Sequence, residues 1–316
     1  MLQCRAVSLL ACVLLAACSG TKGDEPSGSD STESAEQRSG GLVALTYNVA
    51  GLPEGISGSN PSENTELISP LLNDYDLVLV QEDWLEPDPN PTPFDLYHEQ
   101  LASQAQHPHQ SEPVPVPLGS DPDRPEALVS DGLNYFSEFP FEEPVRERWD
   151  GCFGGLDTSD GGAADCLSQK GFSVARTTFG DGVVIDVYNL HVEAGDTQSD
   201  EDLRVEDMEQ LAAFMSDFSA GRPVIVGGDF NLHGDDEGDA AVLEAFYGST
   251  GLSDVCRTLD CPEPERIDRF LFRSSDDVEI TPLSWAVEVA EFTRADGEPL
   301  SDHDPVAVEF RWTAQP

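Results

Sequence analysis

Polar residues of a particular kind stand just after short apolar runs in this chain: Asn48, Glu82, His191, Asp229, Asn231 and the group Asp302-His303-Asp304. Carboxylates offer hard oxygen donors to a divalent cation, imidazoles exchange protons near neutral pH, and carboxamides donate hydrogen bonds to an oxyanion. The carboxyl ends of strands are where a sheet aims side chains into a common cleft. Taken singly, each residue has a plainer use: Asn48 suits a turn, His191 suits a satisfied core position, and Asp302 suits a loop cap. Taken in order along the chain, the set is much harder to attribute to chance.

The elements that must position them follow from hydrophobic pattern. Leu42–Tyr47 has strand composition and opens the folded region. Residues Glu63–Leu72 suit a helix, and Asp76–Gln81 reads as a short strand, apolar without alternation, as strands buried on both faces are. Residues 83–124 are polar and proline-rich, too long for a simple connection, with a helix expected over Phe94–Gln104. Gly132–Ser137 is a further strand. Phe172–Thr178 and Val183–Leu190 flank Gly180-Asp181-Gly182, a hairpin signal. Leu203, Met208, Leu211, Phe214, Met215 and Phe218 give Asp202–Phe218 the core face of a helix. Pro223–Gly227 returns to strand, Asp239–Tyr247 to helix, Arg269–Phe272 to strand, and Val306–Trp312 alternates as a C-terminal strand. Strands and helices intermix without regular alternation, so one mixed α/β sandwich fits better than a barrel or a doubly wound sheet.

These motifs resemble, in order, those of the endonuclease/exonuclease/phosphatase superfamily, which includes pancreatic deoxyribonuclease, apurinic endonucleases, inositol phosphatases and neutral sphingomyelinases. Thr46-Tyr47-Asn48-Val49-Ala50-Gly51-Leu52-Pro53 resembles the opening motif, Gln81-Glu82 the metal-binding motif and Tyr188-Asn189-Leu190-His191 the first histidine motif. Gly227-Gly228-Asp229-Phe230-Asn231 is the most specific match, and Arg266-Ile267-Asp268-Arg269 and Ser301-Asp302-His303-Asp304-Pro305 complete the series. The resemblance implies a four-layer α/β sandwich, two packed mixed sheets flanked by helices as in deoxyribonuclease. It implies hydrolysis of phosphodiesters with Mg²⁺ or Mn²⁺ held by Glu82, with Asn48 and Asp302 in the metal shell. His303 would be the general base, oriented by Asp268. Asp229 would position the water, and Asn231 and His191 would hydrogen-bond the phosphoryl group. His233 falls outside this set, and His98, His107 and His109 read as solvated loop histidines.

Two segments resemble the sphingomyelinase branch. Gln169-Lys170-Gly171-Phe172 precedes the strand leading to His191, which implies a phosphate contact for Lys170. Asp131-Gly132-Leu133 through Ser137-Glu138-Phe139-Pro140 matches the branch's glycine-containing strand. Three functions remain open at this level: a sphingomyelinase-like phospholipid phosphodiesterase, a nuclease or soluble phosphomonoesterase, and a non-catalytic surface lipoprotein.

The N-terminus adds a location. Arg5 precedes a short apolar run, Ala6–Ala17, with the layout of a secretory signal over residues 1–17. Leu15-Ala16-Ala17-Cys18 resembles a bacterial lipobox, with Cys18 lipidated. Residues 18–40, dominated by Ser, Gly, Glu and Asp, then read as a tether before a catalytic domain over 41–316. The expected product is an exported monomer, anchored in a membrane and facing the periplasm or the cell exterior. The even set Cys152, Cys166, Cys256 and Cys261 suits an oxidising compartment and allows three pairings, of which Cys152–Cys166 and Cys256–Cys261 close the shortest loops. A net charge of −45 repels nucleic-acid phosphates, which disfavours a nuclease.

Overall fold

The computed structural model describes residues 38–54, 57, 59–85, 95–114, 122–156, 159 and 161–315. The expected leader over 1–17, the expected lipidation at Cys18 and most of the expected tether lie outside these. In chain order the elements are β1 (Ser39–Asn48), α1 (Pro61–Leu71), β2 (Leu77–Gln81), α2 (His98–Ala102), β3 (His109–Gln110), β4 (Asn134–Ser137), β5 (Val145–Arg148), β6 (Gly171–Phe179) and β7 (Val183–His191). They continue with α3 (Gln198–Phe218), β8 (Val224–Asp229), α4 (Glu237–Thr250), β9 (Ser253–Asp254), α5 (Val255–Thr258), β10 (Asp268–Arg273), β11 (Val278–Val287) and β12 (Val306–Ala314).

The strands form two six-stranded mixed sheets, ordered β11-β12-β1-β2-β4-β3 and β5-β6-β7-β8-β10-β9. The side-chain period of two explains how they stack. On the first sheet Leu42, Ala44, Leu77 and Leu79 turn inward to meet Ala175, Ile185, Val187, Ile225 and Phe270 of the second. The residues between them turn outward: Leu45, Tyr47, Val78 and Val80 pack on Ile68 and Leu72 around α1 and on Leu101 of α2. On the other side Val174, Tyr188, Val224 and Val226 pack on Met208, Leu211 and Met215 of α3 and on Leu243 and Phe246 of α4. Four layers result, and strands buried on both faces account for the unbroken apolar runs.

Several boundaries differ from the sequence reading. β1 begins at Ser39, paired with Thr313, so the domain starts two residues before Gly41. The helix expected over Phe94–Gln104 is the short α2, with Phe94 outside the described residues. α3 starts at Gln198, four residues earlier than expected. Its first turn carries no apolar periodicity and is set by a capping box between Thr197 and Asp200. β3, β5, β9 and β11 were not expected. β11 holds Pro282, which argues against a strand interior, but it lies at a sheet edge with a register shift between Pro282 and Ser284. Cys152 is bonded to Cys166 and Cys256 to Cys261, as the short loops suggested.

Candidate active site

β1 pairs in parallel with β2 in one sheet, as β7 does with β8 in the other. Four carboxyl ends therefore gather at one end of the sandwich. The inward alternation that places Ala44 and Ile225 in the core also turns Asn48 and Asp229 inward, one at each strand's last position. β10 runs antiparallel to β8, so its first residue, Asp268, lies beside Asp229, and His191 lies on the other side. The last loop brings in His303.

A buried polar bridge supports these ends. Gln81 Nε2 donates to Asn189 Oδ1 at 2.7 Å and to Thr46 Oγ1 at 3.1 Å. Asn189 Nδ2 donates to the carbonyls of Val80 and Asn134. The sequence showed Gln81 and Asn189 only as motif letters. Their signal was a carboxamide at an inward strand position, where an apolar residue belongs.

Asn48 Nδ2 donates to Glu82 Oε1 and to Asp229 Oδ2, each at 3.1 Å, and its own Oδ1 accepts from Ala50 N. Glu82 sits just past β2 at φ +58°, and a side chain on Gly51 would place Cβ 2.2 Å from the Glu82 carbonyl, so only glycine fits there. Burial raises the Glu82 carboxyl above its usual range despite Lys170 and Asn48 nearby. Burial also acts to raise Asp229, but His303, His191, Lys170 and Asn48 outweigh it and hold that carboxyl below its usual range. The turn after Asp229 has Asn231 at φ +48°, with its backbone N donating to Asp229 Oδ1 and its Nδ2 to Val192 O. Gly228 just before has φ +156° and lies against Leu190 O, where no Cβ has room.

His303 Nδ1 lies 2.9 Å from Asp268 Oδ2, and its Nε2 lies 3.7 Å from Asp229 Oδ2. Burial acts to lower its pKa, but Asp229, Asp268 and Asp302 push it up to about 10. Ser301 Oγ donates to Asn48 O and accepts from His303 N, fastening this loop to β1. His191 is fully enclosed, its Nε2 3.4 Å from Asp229 Oδ2, and burial together with Lys170 drives its pKa well down, so it is neutral. Asp302 is exposed at the rim and close enough to act electrostatically on both Glu82 and His303.

Lys170 is buried with Nζ 2.6 Å from Asp165 Oδ1 and donating to Val192 O. Burial acts against its charge, but Asp165, Glu82 and Asp229 keep it protonated. Beside Lys170 and Glu82 opens a cavity of about 210 Å³, walled mainly by Leu52, Trp84, Leu128, Val129 and Leu167. Two of the three loop histidines, His98 and His107, are not solvated as expected, whereas His109 on β3 is half-exposed. His107 is buried and bonds Tyr75 O, and His98 pairs with Asp83. His233 lines a separate polar recess adjoining Asn231.

The sequence-predicted residues Asn48, Glu82, His191, Asp229, Asn231, Asp268, Asp302 and His303 thus converge, with Lys170 at the edge. Glu82 and Asp302 offer carboxylate oxygens, and Glu82, half-buried, has only the Asn48 amide as a side-chain donor against its Oε1, which places Asn48 in the shell around the ion through Glu82. That chemistry fits a hard divalent cation. Asp229, Asp268 and His303 also present ligand-type atoms within 4.8 Å of one another, a mixed nitrogen and oxygen set.

A model of the Endonuclease/Exonuclease/phosphatase family matches residues 45–303. A sphingomyelinase of Mycobacterium tuberculosis (strain ATCC 25618 / H37Rv) is 33% identical over 296 residues, covering 87% of this chain and 54% of that protein. The sphingomyelinase of Mycobacterium bovis gives the same figures, so the chain spans about half the length of the curated relatives it matches. Among solved structures, sphingomyelinase C from Streptomyces griseocarneus superposes with a TM-score of 0.57 at 17% identity, covering 85% of this chain and 99% of that one. A Staphylococcus aureus beta toxin mutant with bound magnesium ions gives 0.58 at 15% identity, covering 84% and 98%. At these identities the superpositions speak for the fold alone.

Proposed function

The chain belongs to the Endonuclease/Exonuclease/phosphatase family, and from that membership we propose that it is a divalent-cation-dependent phospholipid phosphodiesterase whose first candidate substrate is sphingomyelin. The observation that carries this reading is the largely apolar cavity of about 210 Å³ between Glu82 and Lys170. A phosphodiester held by Lys170 and by a cation on Glu82 would have an apolar wall for its organic group. The curated relatives named sphingomyelinase and the net charge of −45, unfavourable for nucleic acid, point the same way.

In this reading Glu82, Asn48 and Asp302 hold Mg²⁺ or Mn²⁺. The cation supplies positive charge to the phosphoryl oxygens and the leaving oxygen. His303 takes the proton of the attacking water at Nε2, while Asp268 fixes its ring through Nδ1. That role needs the negative charge around His303 offset, because the bare carboxylates keep the ring protonated. Asp229 positions the water, Asn231 donates to the phosphoryl oxygens, and neutral His191 adds a further donor from the cleft floor. Lys170 contributes positive charge at the phosphate edge. The domain is read as exported through the leader at 1–17 and anchored at Cys18 by a tether.

The test is phosphocholine release from sphingomyelin vesicles, run with Mg²⁺, with chelator and with His303→Ala. Release that needs both the cation and His303 supports the reading. Cleavage of plasmid DNA without phosphocholine release would replace it with a nuclease.

A further inference from the structure

Glu82 occupies a backbone conformation, φ +58°, that a residue with a side chain holds only when its surroundings impose it. The imposing contacts can be followed. On one side Val49 N donates to Gln81 O at 3.1 Å. On the other, Asp83 N donates to Gly132 O at 3.0 Å, and Asn134 Nδ2 donates to both the carbonyl and Oδ2 of Asp83, at 2.8 and 2.9 Å. His98, the first residue of α2, then grips the same turn twice. Its Nδ1 lies 2.7 Å from Asp83 Oδ2, and its backbone N donates to Trp84 O at 3.2 Å.

The Asp83 side chain is 2% exposed and that of His98 12%, so this pair is sheltered from water. Glu82 and Trp84 line the cavity, whereas Asp83 between them and His98 do not. A sheltered pair outside the cavity lining, bonded both to Asp83 and to the carbonyl of Trp84 that follows it, has a mechanical use. Side chains that hold a ligand's backbone and orientation commonly set metal affinity without touching the metal.

We infer that His98 is a positioning residue which, through Asp83 and the Trp84 carbonyl, fixes the strained turn that aims Glu82 at the cation. The inference rests on the reading of Glu82 as the cation's ligand. His98 touches neither cation nor substrate, so its removal weakens cation binding and leaves substrate recognition alone.

The experiment titrates Mn²⁺ into the full chain, follows free Mn²⁺ by electron paramagnetic resonance, and pairs this with KM measured at saturating Mn²⁺. His98→Ala is expected to weaken Mn²⁺ binding by about 10–100-fold with KM unchanged. His98→Asn, whose amide can replace the Nδ1–H donor, should recover most of the loss. Wild-type Mn²⁺ affinity in His98→Ala, with Glu82→Gln clearly weakened, overturns the inference. Wild-type affinity in Glu82→Gln removes the underlying reading of Glu82, a distinguishable result. Should His98→Ala not fold, Asp83→Asn keeps the acceptor for Asn134 but removes the charge facing His98. A weakened Mn²⁺ affinity there supports the inference, and an unchanged one overturns it.

Discussion

Gln81 and Asn189 join the two sheets side chain to side chain, Nε2 to Oδ1 at 2.7 Å, one residue before Glu82 and two before His191. Both are fully buried, so every donor lost there is a donor left without water. Asn189→Ala is expected to cost about 2–4 kcal/mol, because it removes the shortest of the Gln81 amide's hydrogen bonds and the side-chain donor to the carbonyls of Val80 and Asn134. Urea unfolding measures this, and a loss under about 0.5 kcal/mol would mean that the bridge contributes little.

The Asp268–His303 pair makes a kinetic prediction. Asp268→Asn keeps the shape but alters the ring's orientation and charge balance, and kcat should fall about 10²–10⁴-fold with KM little changed. The double variant with His303→Ala should be scarcely worse than His303→Ala alone, since the two act as a unit. Fully additive losses in steady-state assays would separate their roles.

Chelation by EDTA should abolish turnover, and Mg²⁺ should restore it. Glu82→Gln is expected to need at least about tenfold more Mg²⁺ for half-maximal rate. Full activity after exhaustive chelation would rule out the cation.

Behind Lys170 two carboxyls are buried together. Burial, reinforced by Asp165, raises Glu193 to about 9, and burial raises Asp207 to about 8. Each binds its proton more tightly in the folded chain than in the unfolded one. Their contribution is therefore intact below about pH 4 and is lost as pH rises through the folded values. Tm should decline between about pH 5 and 9, and Glu193→Gln should flatten that decline in calorimetric scans. Parallel curves for the two proteins would contradict it.

The Cys152–Cys166 bond closes a loop of 14 residues, and Asp165, the partner of Lys170, is next to Cys166. Replacing both cysteines by serine should cost about 2–4 kcal/mol. The loss should exceed that from the five-residue Cys256–Cys261 loop, as paired thermal melts would report. Equal losses would show that loop length is not the controlling factor here.

Much of this fold was legible because its strands are buried on both faces: Leu77–Val80 and Val224–Val226 can hardly be anything else. β11 was not, because an edge strand with Pro282 and Glu279 lacks that pattern. The convergence at the site was legible from motif order, since each motif residue ends or follows a strand. The partners of Lys170 and His98 were not. Asp165 and Asp83 are ordinary aspartates in sequence, and only the folding of loops over the cleft encloses them with a cation.

β1 runs from Ser39 at one end of the sandwich to Asn48 at the other. Ten strand residues extend about 30 Å. Ser39, where β1 begins, therefore lies at the pole opposite the cleft, and a substitution there leaves the reacting groups about 30 Å away untouched.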